Sequence, residues 1–171
     1  ALAGVAGKEM VTSFHYDNLD RTTRVTDALN GQTNYFYDTR GFLNQTDDPL
    51  GHATYFYSDD FGRLQATWTE GFAQTTGTRY TFDTMDRVKT VTDPVNNVTS
   101  YDYDTLGRVI KRTDPVQAAG TPATEYTYDA DGNLKSLKDP QGNITSYEYD
   151  ARNRLRRDTI TLSGSAATRD Y

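Results

Sequence analysis

Residues 129–150 read DADGNLKSLKDPQGNITSYEYD. Asp129 to Gly132 is D-x-x-G, Asp139 to Gly142 is D-P-x-G, and the stretch closes on Tyr147-Glu148-Tyr149-Asp150. Two turn signals within fourteen residues, separated by a short run rich in strand-compatible residues, describe a chain that reverses twice in quick succession.

The pattern recurs along the whole sequence as T-x-aromatic-x-Y-D-x-x-G-R-L, with its Asp at Asp17, Asp38, Asp59, Asp83, Asp104, Asp129 and Asp150. The spacings are 21, 21, 24, 21, 25 and 21 residues, a period that marks a repeat protein. Five positions before each Asp stands Thr: Thr12, Thr33, Thr54, Thr78, Thr99, Thr124 and Thr145. Three positions before it stands Phe14, Tyr35, Phe56, Tyr80, Tyr101, Tyr126 or Tyr147. Directly before it stands Tyr16, Tyr37, Phe82, Tyr103, Tyr128 or Tyr149, with Ser58 the one departure. Three positions after it come Asp20, Gly41, Gly62, Asp86, Gly107, Gly132 and Asn153, residue types that tolerate positive φ.

Thr-x-Tyr-x-Tyr alternates, so Thr and both rings share one face of a strand. The segment after D-x-x-G, such as Arg108-Val109-Ile110-Lys111-Arg112-Thr113, is a second short strand. Asp at the first position of the turn and an αL residue at the fourth make a three-residue hairpin loop with a bulge. That loop sets Asp17 opposite Arg21, Asp59 opposite Arg63, Asp83 opposite Arg87, Asp104 opposite Arg108 and Asp150 opposite Arg154. The same register places Tyr16, Tyr37, Phe82, Tyr103, Tyr128 and Tyr149 against Thr22, Leu43, Val88, Val109, Leu134 and Leu155. The D-P-x-G or D-P-x-N turns at Asp48–Gly51, Asp93–Asn96 and Asp139–Gly142 return the chain to the next copy, with Asp27–Asn30 and Asp114-Pro115 as variants. Since the unit is odd in length and side chains alternate with period two, the two loops cannot both be plain three-residue loops; the D-P-x-G turn is expected to be longer or bulged. A further irregularity is expected around Trp68–Gly77, where one unit is lengthened.

The expected fold is therefore all-β, an antiparallel meander of about fourteen strands with essentially no helix. At about 4.8 Å per strand the sheet would run about 65 Å, and sheets beyond about ten strands tend to curl. Residues 1–11 read as an incomplete leading segment, 12–160 as about seven repeats, and 161–171 as a linker into a further partial repeat.

Composition narrows function by exclusion. Leu, Ile, Val and Phe together make 30 of 171 residues, against 13 Tyr, which suits a thin sheet with rings that keep polar tips better than a thick apolar core. A net charge of −6 argues against nucleic acid and anionic membranes as partners. No stretch is long and apolar enough to span a membrane, and with no Cys there is neither a disulfide framework nor a cysteine metal site.

Tyr-Asp-Thr-Leu-Gly-Arg-Val at 103–109 with Lys-Arg-Thr-Asp-Pro at 111–115, and Tyr-Asp-Ala-Asp-Gly-Asn-Leu at 128–134 with Lys-Ser-Leu-Lys-Asp-Pro-Gln-Gly-Asn at 135–143, resemble RHS/YD repeats. The resemblance covers roughly residues 12–160. In that family, which includes bacterial polymorphic toxins, the B and C components of insecticidal Tc toxins and animal teneurins, arrays of such hairpins wind into a hollow β-shell. The resemblance implies that this chain is similar to a length of shell wall that encloses a toxic C-terminal domain, exported to the cell surface or medium of a bacterium, with neighbouring repeats and an enclosed toxin polypeptide as partners. The self-cleaving D-P-x-G-L motif of the family is not matched, because Asp48-Pro49-Leu50-Gly51 runs on to His52.

No catalytic, cofactor or metal residues are assigned. His15 and His52 lie in different copies and read as exposed strand and loop residues. Asp129–Asn133 resembles the start of a calcium loop but lacks the later glutamate, and the turn already accounts for it. Ser163-Gly164-Ser165 reads as a flexible linker. The site residues are the structural signature itself: Tyr16, Asp17, Tyr37, Asp38, Gly41, Asp59, Gly62, Asp83, Tyr103, Asp104, Gly107, Tyr128, Asp129, Gly132, Tyr149 and Asp150. Two alternatives to the wall remain: a carbohydrate-binding or adhesive surface repeat whose Tyr rings stack on sugars, and self-association through unpaired strand edges into fibres or tubes.

Overall fold

The computed structural model describes residues 10–115, 122–162 and 165–171. Its contacts divide the chain into two units, Ala1–Arg79 and Tyr80–Tyr171. The first contains β1 (Ser13–Tyr16), β2 (Thr22–Thr26), β3 (Gln32–Tyr37), β4 (Leu43–Asp47), β5 (Ala53–Ser58), β6 (Leu64–Thr69) and the start of β7 (Thr78–Phe82). The second contains the rest of β7, then β8 (Val88–Thr92), β9 (Val98–Tyr103), β10 (Val109–Thr113), β11 (Ala123–Tyr128), β12 (Leu134–Lys138), β13 (Ile144–Tyr149), β14 (Leu155–Leu162) and β15 (Ser165–Asp170). Strand order in the single antiparallel sheet is chain order, one strand more than expected. A single 3-10 turn at Gln74–Thr76 is the only helical element among the described residues.

The last segment, expected as a linker into a further partial repeat, holds the end of β14 and all of β15, paired over six rungs from Arg157↔Asp170 to Leu162↔Ser165. Ser163 and Gly164 lie outside the described residues, as do residues 1–9 and most of the insertion at 116–121. The irregularity expected near Trp68–Gly77 is the 3-10 turn, preceded by Gly71 at φ 84°.

A sheet with no second layer has little apolar interior. Ala53 and Ala66 are the only buried apolar residues among those described. Stability must then come from contacts within the plane of the sheet, and the turns show how. In eleven described turns the Asp N–H donates to the carbonyl four residues on at 2.8–3.0 Å, and the N–H of the residue three on donates back to the Asp carbonyl at 2.9–3.2 Å. The residue three on has φ between 58° and 94° in all of them. This is the type I turn with an αL fourth residue that the D-x-x-G spacing predicts.

D-P-x-G turns have the same geometry as D-x-x-G turns, which corrects the expectation of a longer or bulged return loop. The odd residue sits elsewhere, in the strand that follows D-x-x-G. The pairs Tyr16↔Thr22 and His15↔Arg24 skip Thr23, and Tyr37↔Leu43 followed by Phe36↔Gln45 skips Asn44. The same skip passes over Gln65, Ile110, Lys135 and Arg156. Proline at the second turn position only presets a φ that the first turn adopts without it, so both turns close alike and the extra residue becomes a bulge inside the hairpin.

Candidate functional site

The Asp of every turn bonds backbone first. Its Oδ1 accepts the N–H groups two and four residues on, as from Leu106 and Arg108 to Asp104 at 2.9 Å each, in all eleven turns. Only a side chain as short as Asp, with a second oxygen to spare, does this while still reaching outward. In five D-x-x-G turns Oδ2 takes a two-pronged contact from the Arg four residues on: Arg21 to Asp17, Arg63 to Asp59, Arg87 to Asp83, Arg108 to Asp104 and Arg154 to Asp150, at 2.6–2.8 Å. In the return turns the partner is neutral or a histidine: Asn97 to Asp93, Asn143 to Asp139 and His52 to Asp48.

The guanidinium has a second face, and the next copy uses it. Arg21 lies over the ring of Tyr37 at 4.4 Å, Arg87 over Tyr103 at 4.6 Å and Arg108 over Tyr128 at 4.4 Å. These three tyrosines, and Tyr149 with them, also reach back. The Tyr37 hydroxyl donates to the Thr22 carbonyl at 2.8 Å, Tyr103 to Val88 at 2.7 Å, Tyr128 to Val109 at 2.8 Å and Tyr149 to Leu134 at 3.0 Å.

The bulge explains why those carbonyls receive a side chain. Between one hairpin and the next, backbone pairing covers three rungs beside the return turn, as in Arg24↔Asn34, Val25↔Thr33 and Thr26↔Gln32. The same three rungs recur between β8 and β9, β10 and β11, and β12 and β13. Thr22, Val88, Val109 and Leu134 lie beyond the last rung, so the tyrosine of the following copy supplies the donor there and its ring, capped by Arg at the first three, fills the wedge.

Two consecutive copies depart together. Phe42 stands where the others carry Arg or Asn, and Ser58 stands where the next copy should supply its ring. A Cβ on Gly62 would come within 2.7 Å of the Phe42 ring, so the aromatic volume now arrives from the earlier copy and presses on the next turn. The guanidinium moves with it: Arg40, two residues after Asp38, bonds Asp38 Oδ2 at 2.8 Å and reaches the Ser58 carbonyl at 3.1 Å and Asp60 at 3.1 Å. Ring, cation and carboxylate are all retained.

Titration follows geometry. The Arg21 side chain holds Asp17 below the ordinary carboxylate range, and Arg154 pulls Asp150 down to about 2. Asn97 and Asn143 lower Asp93 and Asp139 through side-chain hydrogen bonds. Burial, aided by the Asp83 charge, raises Tyr103, and burial raises Tyr149. Asp17, Asp93, Asp139 and Asp150 thus stay ionised and Tyr103 and Tyr149 keep their protons, which suits fixed hydrogen bonds and is the opposite of groups poised to exchange protons near neutrality.

The signature residues are brought into one repeated arrangement, except Tyr16, whose ring is largely exposed on β1. His15 is exposed on β1 and His52 sits on Asp48 in its turn. Asp129 bonds Asp131 N–H, Asn133 N–H and the Asn133 amide, as a turn residue. Among the described residues no three His, Asp or Glu side chains converge as metal ligands, and no helix is long and apolar enough to cross a membrane. Outside the repeated arrangement, a second aromatic group lies on the opposite face of the first unit, where Tyr55 and Trp68 stack at 5.5 Å beside exposed Phe36 and Tyr57.

No curated protein matches the chain. Among solved structures it is similar to TcdB2-TccC3 without the hypervariable C-terminal region, with TM-score 0.74 and 17% identity over 92% of this chain and 9% of that one. It is likewise similar to the Photorhabdus luminescens Tc holotoxin pore, with TM-score 0.73 and 19% identity over 91% of this chain and 9% of that one. At such identities the likeness concerns the fold, and the chain spans about a tenth of their length. The RHS Repeat profile matches residues 16–53, 86–121 and 128–166, about two thirds of the sequence. Hairpins that repeat one register, joined in three places by Arg and Tyr of successive copies, stand beside that match over about two thirds of the sequence, and the chain belongs to the RHS repeat family.

Proposed function

We propose that this chain is a length of structural wall: an RHS array whose role is to enclose a polypeptide, a toxin domain in the parent protein, and keep it from the producing cell until release. The observation that carries this reading is the Arg–Tyr lock at Arg21–Tyr37, Arg87–Tyr103 and Arg108–Tyr128, which joins consecutive hairpins at one edge and commits those guanidinium groups and phenols to holding the sheet. An array built this way extends by adding copies, and long sheets curl. The likeness in fold to TcdB2-TccC3 and to the Photorhabdus luminescens Tc holotoxin pore points in the same direction. Export to the cell surface or medium belongs to this proposal, as do neighbouring repeats and an enclosed polypeptide as partners. In the full-length parent, the domain encoded downstream should resist added protease and become cleavable when Tyr103, Tyr128 and Tyr149 are replaced by Ala; equal cleavage of both would overturn the reading.

A second reading rests on the Tyr55–Trp68 stack. Flat rings flanked by Gln45 and Asp47 could accept a sugar, and this cluster suits the role better than the signature tyrosines, whose hydroxyls are already bonded. A glycan array lacking any signal that disappears with Trp68→Ala removes it.

A further inference from the structure

One gap between hairpins lacks the cation that fills its counterparts. Arg87 and Arg108 each place two nitrogens on Oδ2 of their turn Asp, Asp83 and Asp104, all at 2.7 Å, and lie over the ring of the following copy, Tyr103 and Tyr128. Arg87 also donates to the carbonyl of Asp104 in the next turn at 3.0 Å. In the copy after Arg108, the residue four past the Asp is Asn133. Its amide gives Asp129 Oδ2 one bond at 3.0 Å and is shared with Asn153 Oδ1 of the next turn, also at 3.0 Å. The ring of the following copy is in place, with the Tyr149 hydroxyl on the Leu134 carbonyl at 3.0 Å, but among the described residues no cation lies over it. A cavity of about 530 Å³ opens there, lined by Asp129, Asn133, Tyr149, Asp150 and Asn153. Asp131 and Glu148 add carboxylates to its wall against the ammonium of Lys135, so the cavity is anionic. Burial raises Tyr149, with Tyr147 and Asp129 adding to it, whereas at Tyr103 the charge of Arg87 opposes the rise.

We propose that this cavity binds a guanidinium group supplied from outside the chain, held as Arg87 and Arg108 are held: flat on the Tyr149 ring, with N–H groups on Asp129 Oδ2 and on the Asp150 carbonyl. The chain's own arginines are the observation that names the ligand. The same carboxylate and ring hold a guanidinium at Arg21, Arg87 and Arg108. Asp129 Oδ2 keeps a lone pair open, because Asn133 makes one bond where Arg makes two. A planar guanidinium stacks on a ring and forks onto a carboxylate at once, while a lysine ammonium, compact and strongly hydrated, does not. The other hairpin junction without Arg four past the Asp is already filled, by the Phe42 ring and the guanidinium of Arg40. An arginine side chain of another polypeptide and a free small guanidinium compound share this chemistry. The site stands apart from the wall reading and does not rest on it.

The test titrates N-acetylarginine amide into the full chain at constant ionic strength while the tyrosine ring resonances are followed by NMR. The expected result is a saturable shift at Tyr149, several-fold weaker with N-acetyllysine amide and lost in Asn133→Arg, where the chain supplies its own guanidinium. That variant should also melt at a higher temperature than the parent, which separates a filled site from a damaged fold. A short peptide with one Arg between Ser and Gly residues distinguishes the sources: binding several-fold tighter than the blocked amino acid assigns the group to a polypeptide partner, and equal binding assigns it to a free small molecule. No saturable shift at Tyr149, equal binding of the lysine probe, or a shift that survives in Asn133→Arg would overturn the inference. No cargo domain enters these readouts, so the wall reading can fail by protease exposure while the site stands, and the reverse.

Discussion

The two edges of the sheet are built from one turn and behave as two different devices. At the return-turn edge the Asp bonds its own loop and a neutral or histidine neighbour, and backbone rungs carry the chain from hairpin to hairpin. At the D-x-x-G edge the bulge ends those rungs early, and Tyr and Arg of successive copies close the gap. The first of these edges also carries the lengthened connection with the 3-10 turn at Gln74–Thr76, beside which β6 and β7 keep two rungs, Ala66↔Arg79 and Thr67↔Thr78. Identical backbone geometry thus carries a local role on one side and a cohesive one on the other, decided by what stands four residues after the Asp and directly before the next.

Acid should test both edges together, with the largest effect. A carboxylate whose folded value lies below its unfolded value of about 3.9 stabilises the fold above that pH and ceases to as the pH falls toward the folded value. With Asp17, Asp48, Asp93, Asp104, Asp129 and Asp139 all lowered and Asp150 at about 2, far-UV circular dichroism should hold steady down to about pH 4 and collapse between there and about pH 2. A sheet unchanged at the bottom of that window would show that the turns do not depend on these charges.

Tyr103→Ala removes a half-buried ring and its hydrogen bond from the cohesive edge, and should lower stability to denaturant by about 2 kcal/mol, while Tyr103→Phe, which deletes only the bond to Val88, should lower it by about 1 kcal/mol. Equal losses for the two variants would mean the ring contributes nothing beyond its hydroxyl. Gly107→Ala and Gly142→Ala probe the shared backbone: φ is 83° and 86°, and no atom lies within 4 Å of either added Cβ. Each should therefore cost about 1 kcal/mol in thermal melts, and a large inequality would break the claim that the two turns are alike. Smallest of all, Asn97→Ala and Asn143→Ala should stay within about 0.5 kcal/mol of the parent, because the freed Asp oxygens face water at an edge that the backbone already closes.

The hairpin register was legible before any coordinate. Tyr37 faces Leu43, Tyr103 faces Val109, Tyr128 faces Leu134 and Tyr149 faces Leu155, as the turn spacing requires. The pairing of Asp with Arg across the turn was legible too, since both partners lie within five residues. The second use of the same Arg, over a ring sixteen to twenty residues later, was not, and neither was the Tyr hydroxyl's carbonyl in the preceding hairpin. One signal for it does stand in the chain: the copy that exchanges Arg for Phe42 is followed by the copy that exchanges Tyr for Ser58, compensating departures that make sense only if the two positions share a space.

What the amino-acid order determined alone is the list of reversals, because an Asp that satisfies three turn groups and a residue able to hold positive φ act within five positions of each other. Where the odd residue of each unit goes, and what binds one hairpin to the next, was decided in three dimensions. Both depend on where backbone pairing between hairpins runs out, and that place is set by strands meeting across the sheet, which no local signal encodes.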